Sequence, residues 1–324
     1  MIVTQTPMRI SFAGGGTDLA EFYLREYGSV VAAAIDKYVY VIVKERLDNK
    51  IRASLGELDV VDRTADLQDE LLKAAMEKVG ITTGLEISVM NDIGTEFSDL
   101  GSSGSLAVGV LNALYAYKGK FASAEKLAKE ACDIEIKALG RPGGKQNQYI
   151  AAYGGLQHFI FHPDESVGVI SIELSENHRS RLLDSLLLFH MDITVQQDTI
   201  MQEQRRKTSR NTQTLITMRN QADDLAKYLK IGAVASLGQT LREGWTCKKT
   251  LASGITNTEI DKMVETAMSA GAIGAKVTGA GGGGFLLVCV PPEKRSSVRQ
   301  KMSGLKELPI NFSEYGSKII FNAK

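Results

Sequence analysis

Leu100-Gly-Ser-Ser-Gly-Ser-Leu-Ala-Val-Gly-Val-Leu111 is a run of small residues that opens directly into an apolar helical stripe. Leu106, Val110, Leu111 and Leu114 recur at helical spacing, which predicts a helix starting near Ser103. The first N–H groups of such a helix have no intrahelical acceptor, and the aligned peptide dipoles place their positive end there. Small residues just ahead let an anion approach the backbone, and two hydroxyls can reach a phosphate or a metal ion. The stretch therefore reads as a phosphate cradle and points to a nucleotide. The competing reading is that the serines only cap a core helix, since Ser is a favoured N-cap residue.

Two other glycine-rich segments give the cradle company. Ala13-Gly-Gly-Gly-Thr-Asp18 lies between two strand-like runs, residues 2–12 and 29–47, and precedes a short helix around 19–26. Gly279–Gly284 links a strand ending at Val277 to the buried-strand run Phe285-Leu-Leu-Val-Cys-Val290. Neither familiar glycine fingerprint accounts for them. Gly144-Lys145 is followed by Gln146 where a P-loop needs Ser or Thr, and Gly279, Gly281 and Gly284 open a strand where the dinucleotide fingerprint must open a helix.

Between these landmarks the pattern predicts helices near 67–79, 103–117 and 123–138 and strands at 85–91, 156–161 and 167–174. A charged loop, Gly140–Gln148, enters a small-residue helix that stops at Gly154-Gly155. After a strand at 185–192 comes a long polar helix with its apolar face at Leu215, Met218, Leu225 and Leu229. Helices near 232–243 and 258–270 precede the glycine hairpin, and one or two strands end the chain at 308–323. Helices and strands mix without strict βαβ alternation, which favours α+β over a doubly wound sheet.

At 324 residues the chain exceeds the usual single core and suggests two domains. Lys+Arg and Asp+Glu balance at 38 each, against the basic surplus of a dedicated nucleic-acid binder. Cys132, Cys247 and Cys289 are scattered, without zinc or disulfide spacing, and no apolar stretch reaches the roughly 18–20 residues of a membrane span. The default expectation is a cytoplasmic protein with buried thiols and no membrane partner. The four histidines lack metal spacing and read as structural.

Order and separation of the three glycine sites resemble those of the GHMP kinases, the family of galactokinase, homoserine kinase, mevalonate kinase and phosphomevalonate kinase. Pro7-Met-Arg-Ile-Ser-Phe-Ala-Gly-Gly-Gly-Thr-Asp18 is similar to the first motif. Asp99-Leu-Gly-Ser-Ser-Gly104 is similar to the second, usually Gly-Leu-Gly-Ser-Ser-Ala, and Lys276-Val-Thr-Gly-Ala-Gly-Gly-Gly-Gly284 to the third. Within the family, Gly144-Lys-Gln-Asn-Gln-Tyr149 and Trp245-Thr-Cys-Lys-Lys249 resemble most the D-glycero-D-manno-heptose 7-phosphate kinases, with the kinase part of fucokinases close behind.

The resemblance implies a nucleotide-binding N-terminal domain (residues 1–180), a ferredoxin-like C-terminal domain (181–324) and an active site in the cleft between them. It implies transfer of the γ-phosphoryl of ATP to the anomeric hydroxyl of a sugar phosphate, on a route to nucleotide-activated heptose for surface polysaccharide. Leu100, Gly101, Ser102, Ser103, Gly104 and Ser105 would hold the nucleotide, and Ser103 with Glu135 would hold Mg²⁺, a hard cation suited to few protein oxygens. Gly15, Gly16, Thr17, Asp18, Lys248, Gly281 and Gly282 would contact the sugar phosphate, with Arg9 orienting it and Lys145 as an electrostatic partner. Structural readings stand beside these: a solvated helix carboxylate for Glu135, an Arg9–Asp18 ion pair, and a solvated face for Arg205-Arg-Lys207.

The departure is Asn147, where the resembled pattern usually has an Asp as general base. An amide has no lone pair of useful basicity at neutral pH. An inactivated variant, a kinase relying on metal and positioning alone, and a silent sugar-phosphate binder remain open. A fucokinase-like sugar 1-kinase is the alternative acceptor reading.

Overall fold

The computed structural model describes residues 1–94, 100–193 and 196–323, the Val234 side chain apart; Asp99 of the second motif lies outside the described residues. The chain opens with β1 (Ile2–Ala13), the four-residue helix α1 (Ala20–Tyr23) and the 18-residue strand β2 (Gly28–Glu45). A small hairpin, β3 (Ile51–Ser54) and β4 (Leu58–Val61), precedes α2 (Glu70–Val79) and β5 (Leu85–Asn91). Three helices follow, α3 (Ser102–Tyr117), α4 (Ala124–Cys132) and α5 (Gln146–Tyr153), then β6 (Leu156–Phe161) and β7 (Val167–Ser171).

The second half runs through α6 (Glu176–Asp184), β8 (Leu186–His190), α7 (Gln197–Lys207), α8 (Thr212–Lys230), α9 (Val234–Lys248) and α10 (Thr258–Ser269). The hairpin β9 (Gly274–Val277) and β10 (Phe285–Cys289), α11 (Arg295–Lys301), β11 (Lys306–Glu307) and β12 (Lys318–Asn322) complete it.

Strand β2 is long enough to serve two partners. Residues 39–45 pair with β5 and residues 28–33 with β6, while β1 runs along its other edge. The resulting sheet has the order β12-β1-β2-β5-β3-β4, with β6 and β7 attached through β2. Its edge strand β12 therefore comes from beyond the 1–180 segment. Helix α3 is buried almost all round, from Ala107 to Ala116, and not only along the stripe its spacing predicts. It seats against β1 at Gly109, where a Cβ would come within 2.7 Å of Thr6 Oγ1.

The second sheet has the order β11-β8-β10-β9, all antiparallel, the 4-1-3-2 arrangement of a ferredoxin-like domain. Both faces are covered, which is why Phe285–Val290 is continuously apolar rather than alternating. Phe285, Leu287 and Cys289 join the core of the large sheet together with Leu225, Leu237 and Leu241 of α8 and α9. Leu286, Val288 and Val290 join a second core with Ile260 of α10 and Val298 of α11. Leu287 is fully buried, so its truncation to Ala would cost about 2–5 kcal/mol.

Two helix expectations change. The long polar helix is two, α7 and α8, broken at residues 208–211. There the Thr208 hydroxyl turns back onto the Gln204 carbonyl (3.0 Å) and Asn211 Nδ2 donates to the Leu251 carbonyl (3.0 Å), local bonds that compete with helix. The helix over 123–138 ends its α-helical course at Cys132 and continues as a π-helical segment, Asp133–Ala138. Among the described residues no helix is long and apolar enough to cross a membrane.

Candidate active site

A cleft of about 170 Å³ lies where the loop after β1, the start of α3, the loop before α5 and the glycine hairpin converge. One wall of it is built by the start of α3. Gly101 is the N-cap residue at φ +77°, a left-handed conformation that glycine adopts without strain, and a Cβ there would press on the Arg9 side chain at 3.1 Å. Gly101 and Ser103 face the cleft. Leu100 is fully buried, and the Ser105 hydroxyl is spent on the carbonyls of Pro7 (2.7 Å) and Gly101 (3.2 Å). The capping reading fails, since among the described residues no serine side chain caps α3: Ser103 faces the cleft, while the Ser105 hydroxyl ties the helix to β1.

Ser103 Oγ donates to Glu135 Oε1 in a close contact. Glu135 lies on the π-helical segment, is 3% exposed, and accepts from Gln148 Nε2 at its other oxygen (2.7 Å). A π-segment shifts the angular phase of a helix and is frequent at functional sites; here it belongs to the element that turns a carboxylate inward. The solvated-carboxylate reading of Glu135 is set aside by this burial. Arg141 Nη1 sits 3.4 Å from both Ser103 Oγ and Glu135 Oε1, supplying the compensating charge. One carboxylate oxygen beside one hydroxyl oxygen, on the rim of a phosphate-sized cleft, suits a magnesium ion that keeps waters and phosphate oxygens in its shell.

The opposite corner is organised by Asp18. Its carboxylate accepts from Gly16 N (3.0 Å), Gln146 N (3.1 Å) and Gln146 Nε2 (3.3 Å), clamping the first glycine loop to the start of α5. A Cβ on Gly144 would overlap this carboxylate, so glycine is required there. Asp18 does not pair with Arg9; Arg9 Nε instead donates to Asn147 Oδ1 at 3.0 Å. Among the described residues, Ser11 Oγ and the Oε1 atoms of Gln146 and Gln148 are buried without a hydrogen-bond partner. All three residues line the cleft. Buried polar atoms left unpaired are costly, and their concentration here fits a site that completes its bonds with a ligand.

Several expected residues sit elsewhere. Thr17 is buried, bonding through its hydroxyl to the carbonyls of Gly14 (2.8 Å) and Ser29 (2.9 Å), so it shapes the loop without facing the cleft. Lys145 lies 4.4 Å over the Tyr23 ring and 3.4 Å from the Glu165 carbonyl, turned into the protein, where burial lowers its pKa. Gly281 and Gly282 are buried against Ile255, whose carbonyl accepts from Gly282 N (2.8 Å); Gly279 and Ala280 supply the lining instead. Of the two adjacent lysines, Lys249 pairs with Asp261 (3.2 Å), whereas Lys248 faces the cleft and donates to Gln204 Oε1 (2.9 Å). Arg205 pairs with Glu21 and Lys207 with Glu203, in keeping with a solvated face.

Lys276, Arg141 and Gln204 were not singled out by sequence. Lys276 had a visible signal, a lone charge between Ala275 and Val277 in an otherwise apolar strand leading to the glycine turn. It lines the cleft floor.

The chain matches the family described as GHMP kinases N terminal domain over residues 67–155 and that described as GHMP kinases C terminal over residues 225–306. It is 27% identical over 311 residues to the D-glycero-alpha-D-manno-heptose 7-phosphate kinase of Campylobacter jejuni, covering 91% of each chain. It is 25% identical to the L-fucokinase/L-fucose-1-P guanylyltransferase of Bacteroides fragilis, covering 91% of this chain and 35% of that protein. Among solved structures, a D-glycero-D-manno-heptose 1-phosphate kinase from Bacteroides thetaiotaomicron superposes with a TM-score of 0.84 at 22% identity, covering 100% of both chains.

Proposed function

This chain belongs to the GHMP kinases, and on that premise we propose that it transfers the γ-phosphoryl of ATP to the anomeric hydroxyl of a sugar phosphate, D-glycero-D-manno-heptose 7-phosphate being the favoured acceptor. The observation that carries this reading is the meeting, in one cleft, of a helix N-terminus bearing Ser103 beside Glu135 and a polar corner built from Asp18, Gln146, Asn147 and Arg9. Phosphoryl transfer asks mainly for positioning and charge neutralisation, and those two features supply them.

In this reading the backbone at Gly101–Gly104 and the Ser102 and Ser103 side chains hold the nucleotide phosphates, and Ser103 with Glu135 holds Mg²⁺. The ion's chemistry would be to neutralise phosphate charge. The acceptor hydroxyls lie against Asp18 and the Gly15-Gly16 loop. Arg9 and Asn147 face the attacking oxygen. A P–O bond forms to the anomeric oxygen as the bond to the bridging oxygen of the departing ADP breaks. The hydroxyl proton leaves to solvent or to the transferred phosphoryl group, because the Asn147 amide cannot take it. Residues 1–180 and 181–324 are proposed as the two domains that flank the site, with β12 returning to the first sheet.

The test is a coupled ADP-release assay with heptose 7-phosphate, a 6-phosphohexose and L-fucose as acceptors, the product checked for an anomeric phosphate by phosphorus NMR. Turnover of L-fucose in preference to heptose 7-phosphate would replace the acceptor. Asn147 is the specific observation favouring a silent sugar-phosphate binder, and calorimetric binding without ADP release would establish that second reading.

A further inference from the structure

The cleft contains two lysines that the phosphoryl-transfer machinery does not use. Lys248 from α9 and Lys276 from β9 line it together, with Arg9 of β1, which serves the attacking oxygen, also in the lining. Among the described residues neither lysine has a carboxylate within ion-pair distance: Lys248 donates only to the neutral Gln204 amide, and Lys276 has no hydrogen-bond partner. The charges that bear on Lys276 are Lys248 and Arg9, both repulsive. Asp18 attracts Lys248, but its oxygens are committed to Gly16 and Gln146. Like charges gathered in a partly dry corner raise the free energy of the empty site, and a dianion placed among them reverses that cost.

Position separates this corner from the nucleotide side. Gln204, which holds Lys248, packs so closely on the sugar loop that a Cβ on Gly16 would overlap its amide nitrogen. That nitrogen is itself buried without a partner. Ser103 and Glu135 have their own compensating cation in Arg141. The lysine pair therefore belongs to the acceptor's end of the cleft.

We propose that Lys276, with Lys248, forms a receptor for the phosphate group that the acceptor already carries, and that Lys276 makes the enzyme select phosphorylated over unphosphorylated sugars. This rests on the reading of the acceptor as a sugar phosphate.

The experiment measures calorimetric Kd values for heptose 7-phosphate, the unphosphorylated heptose and ADP on the wild-type chain, Lys276→Met and Lys276→Arg. Lys276→Met should weaken heptose 7-phosphate about 10–100-fold, the scale of one charge-assisted contact, and leave the heptose and ADP within twofold. Lys276→Arg, which keeps the charge, should recover most of the loss. Wild-type selectivity that survives Lys276→Met overturns the receptor and leaves the proposed function standing. A loss confined to ADP assigns the lysine to the nucleotide and also overturns it. Equal binding of both sugars by the wild-type chain overturns the receptor and the acceptor reading together.

Discussion

Arg9 and Asn147 are joined by a 3.0 Å hydrogen bond, Nε to Oδ1, across the cleft between β1 and the start of α5. Asn and Asp have nearly the same shape, so Asn147→Asp would turn this bond into a charge-assisted pair with little repacking. The pair would keep the new carboxylate ionised and aimed where a hydroxyl proton must go. Asn147→Asp is expected to raise kcat by the usual worth of a general base, about 10²–10⁴-fold, with sugar-phosphate Kd changed little. Full activity in the Asn147 chain, or no gain in the variant, would sink this expectation.

Gly104 fixes where residue 147 sits. A Cβ on Gly104 would lie 2.7 Å from Asn147 Cβ and 2.9 Å from its carbonyl carbon, so the two helix starts touch backbone to backbone. Gly104→Ala must push α5 away by a sizeable fraction of an ångström. Such displacements near a reacting group can cost about 10²-fold in rate. Stopped-flow and steady-state kinetics on Gly104→Ala should show that loss, in the Asn147 background or with Asp at 147, while circular dichroism is unchanged.

Glu135 is the only carboxylate beside Ser103 Oγ among the described residues. Glu135→Gln keeps an oxygen there and removes the charge. The Mg²⁺ concentration giving half-maximal rate should rise at least 10–100-fold, the range typical even of an outer-sphere change. A magnesium titration with an unaltered midpoint would move the ion's site elsewhere.

The fold was legible because its signals are periodic. The apolar run at Phe285–Val290 and the stripe in α3 mark buried elements whatever their partners, and three glycine turns mark where chains must approach closely. Side-chain direction was less legible. Lys145 and Lys276 both flank glycine motifs, yet Lys145 turns onto Tyr23 and Lys276 into the cleft. Nothing in local spacing distinguishes them, because the choice is made by the aromatic ring of α1 and the strand pairing of β9. The π-helical segment carrying Glu135 was hidden for a similar reason: its residues fit an ordinary helix.

Away from the cleft, Asp223 of α8 ties the second half of the chain to the large sheet. Its oxygens accept from Ser29 (2.6 Å), His158 (3.1 Å) and Tyr27 (2.8 Å). Burial works against its ionisation, but these hydrogen bonds outweigh it and bring its pKa down to about 2. A carboxyl depressed from 3.8 in the folded chain adds stability that is present above about pH 4 and lost as the pH falls toward 2. The size is about 2 kcal/mol. Urea unfolding of the wild-type chain should therefore lose stability between pH 4 and 2 more steeply than Asp223→Asn, and equal slopes would remove Asp223 from the account.

The lysine receptor predicts a pH dependence of acceptor binding. In the ligand-free cleft, burial lowers Lys248 to about 8 and, with the repulsion of Lys248 and Arg9, lowers Lys276 to about 7. A phosphate dianion favours the charged amines, so binding raises both values and takes up protons. Affinity for heptose 7-phosphate should be highest at pH 6–7 and should fall as pH rises through 7 and then 8, by up to tenfold per pH unit for each lysine that must be protonated. The phosphate's own second pKa is about 6, so it becomes mostly dianionic only by about pH 7, which acts in the opposite direction and flattens the profile at its acid end. Lys276→Met should remove the component near pH 7 and leave the one near pH 8. Calorimetry in buffers of different ionisation enthalpy gives the proton count directly: uptake of about one proton near pH 7.5 is expected in the wild-type chain, less in Lys276→Met, and no uptake in either would show that these amines do not meet the phosphate.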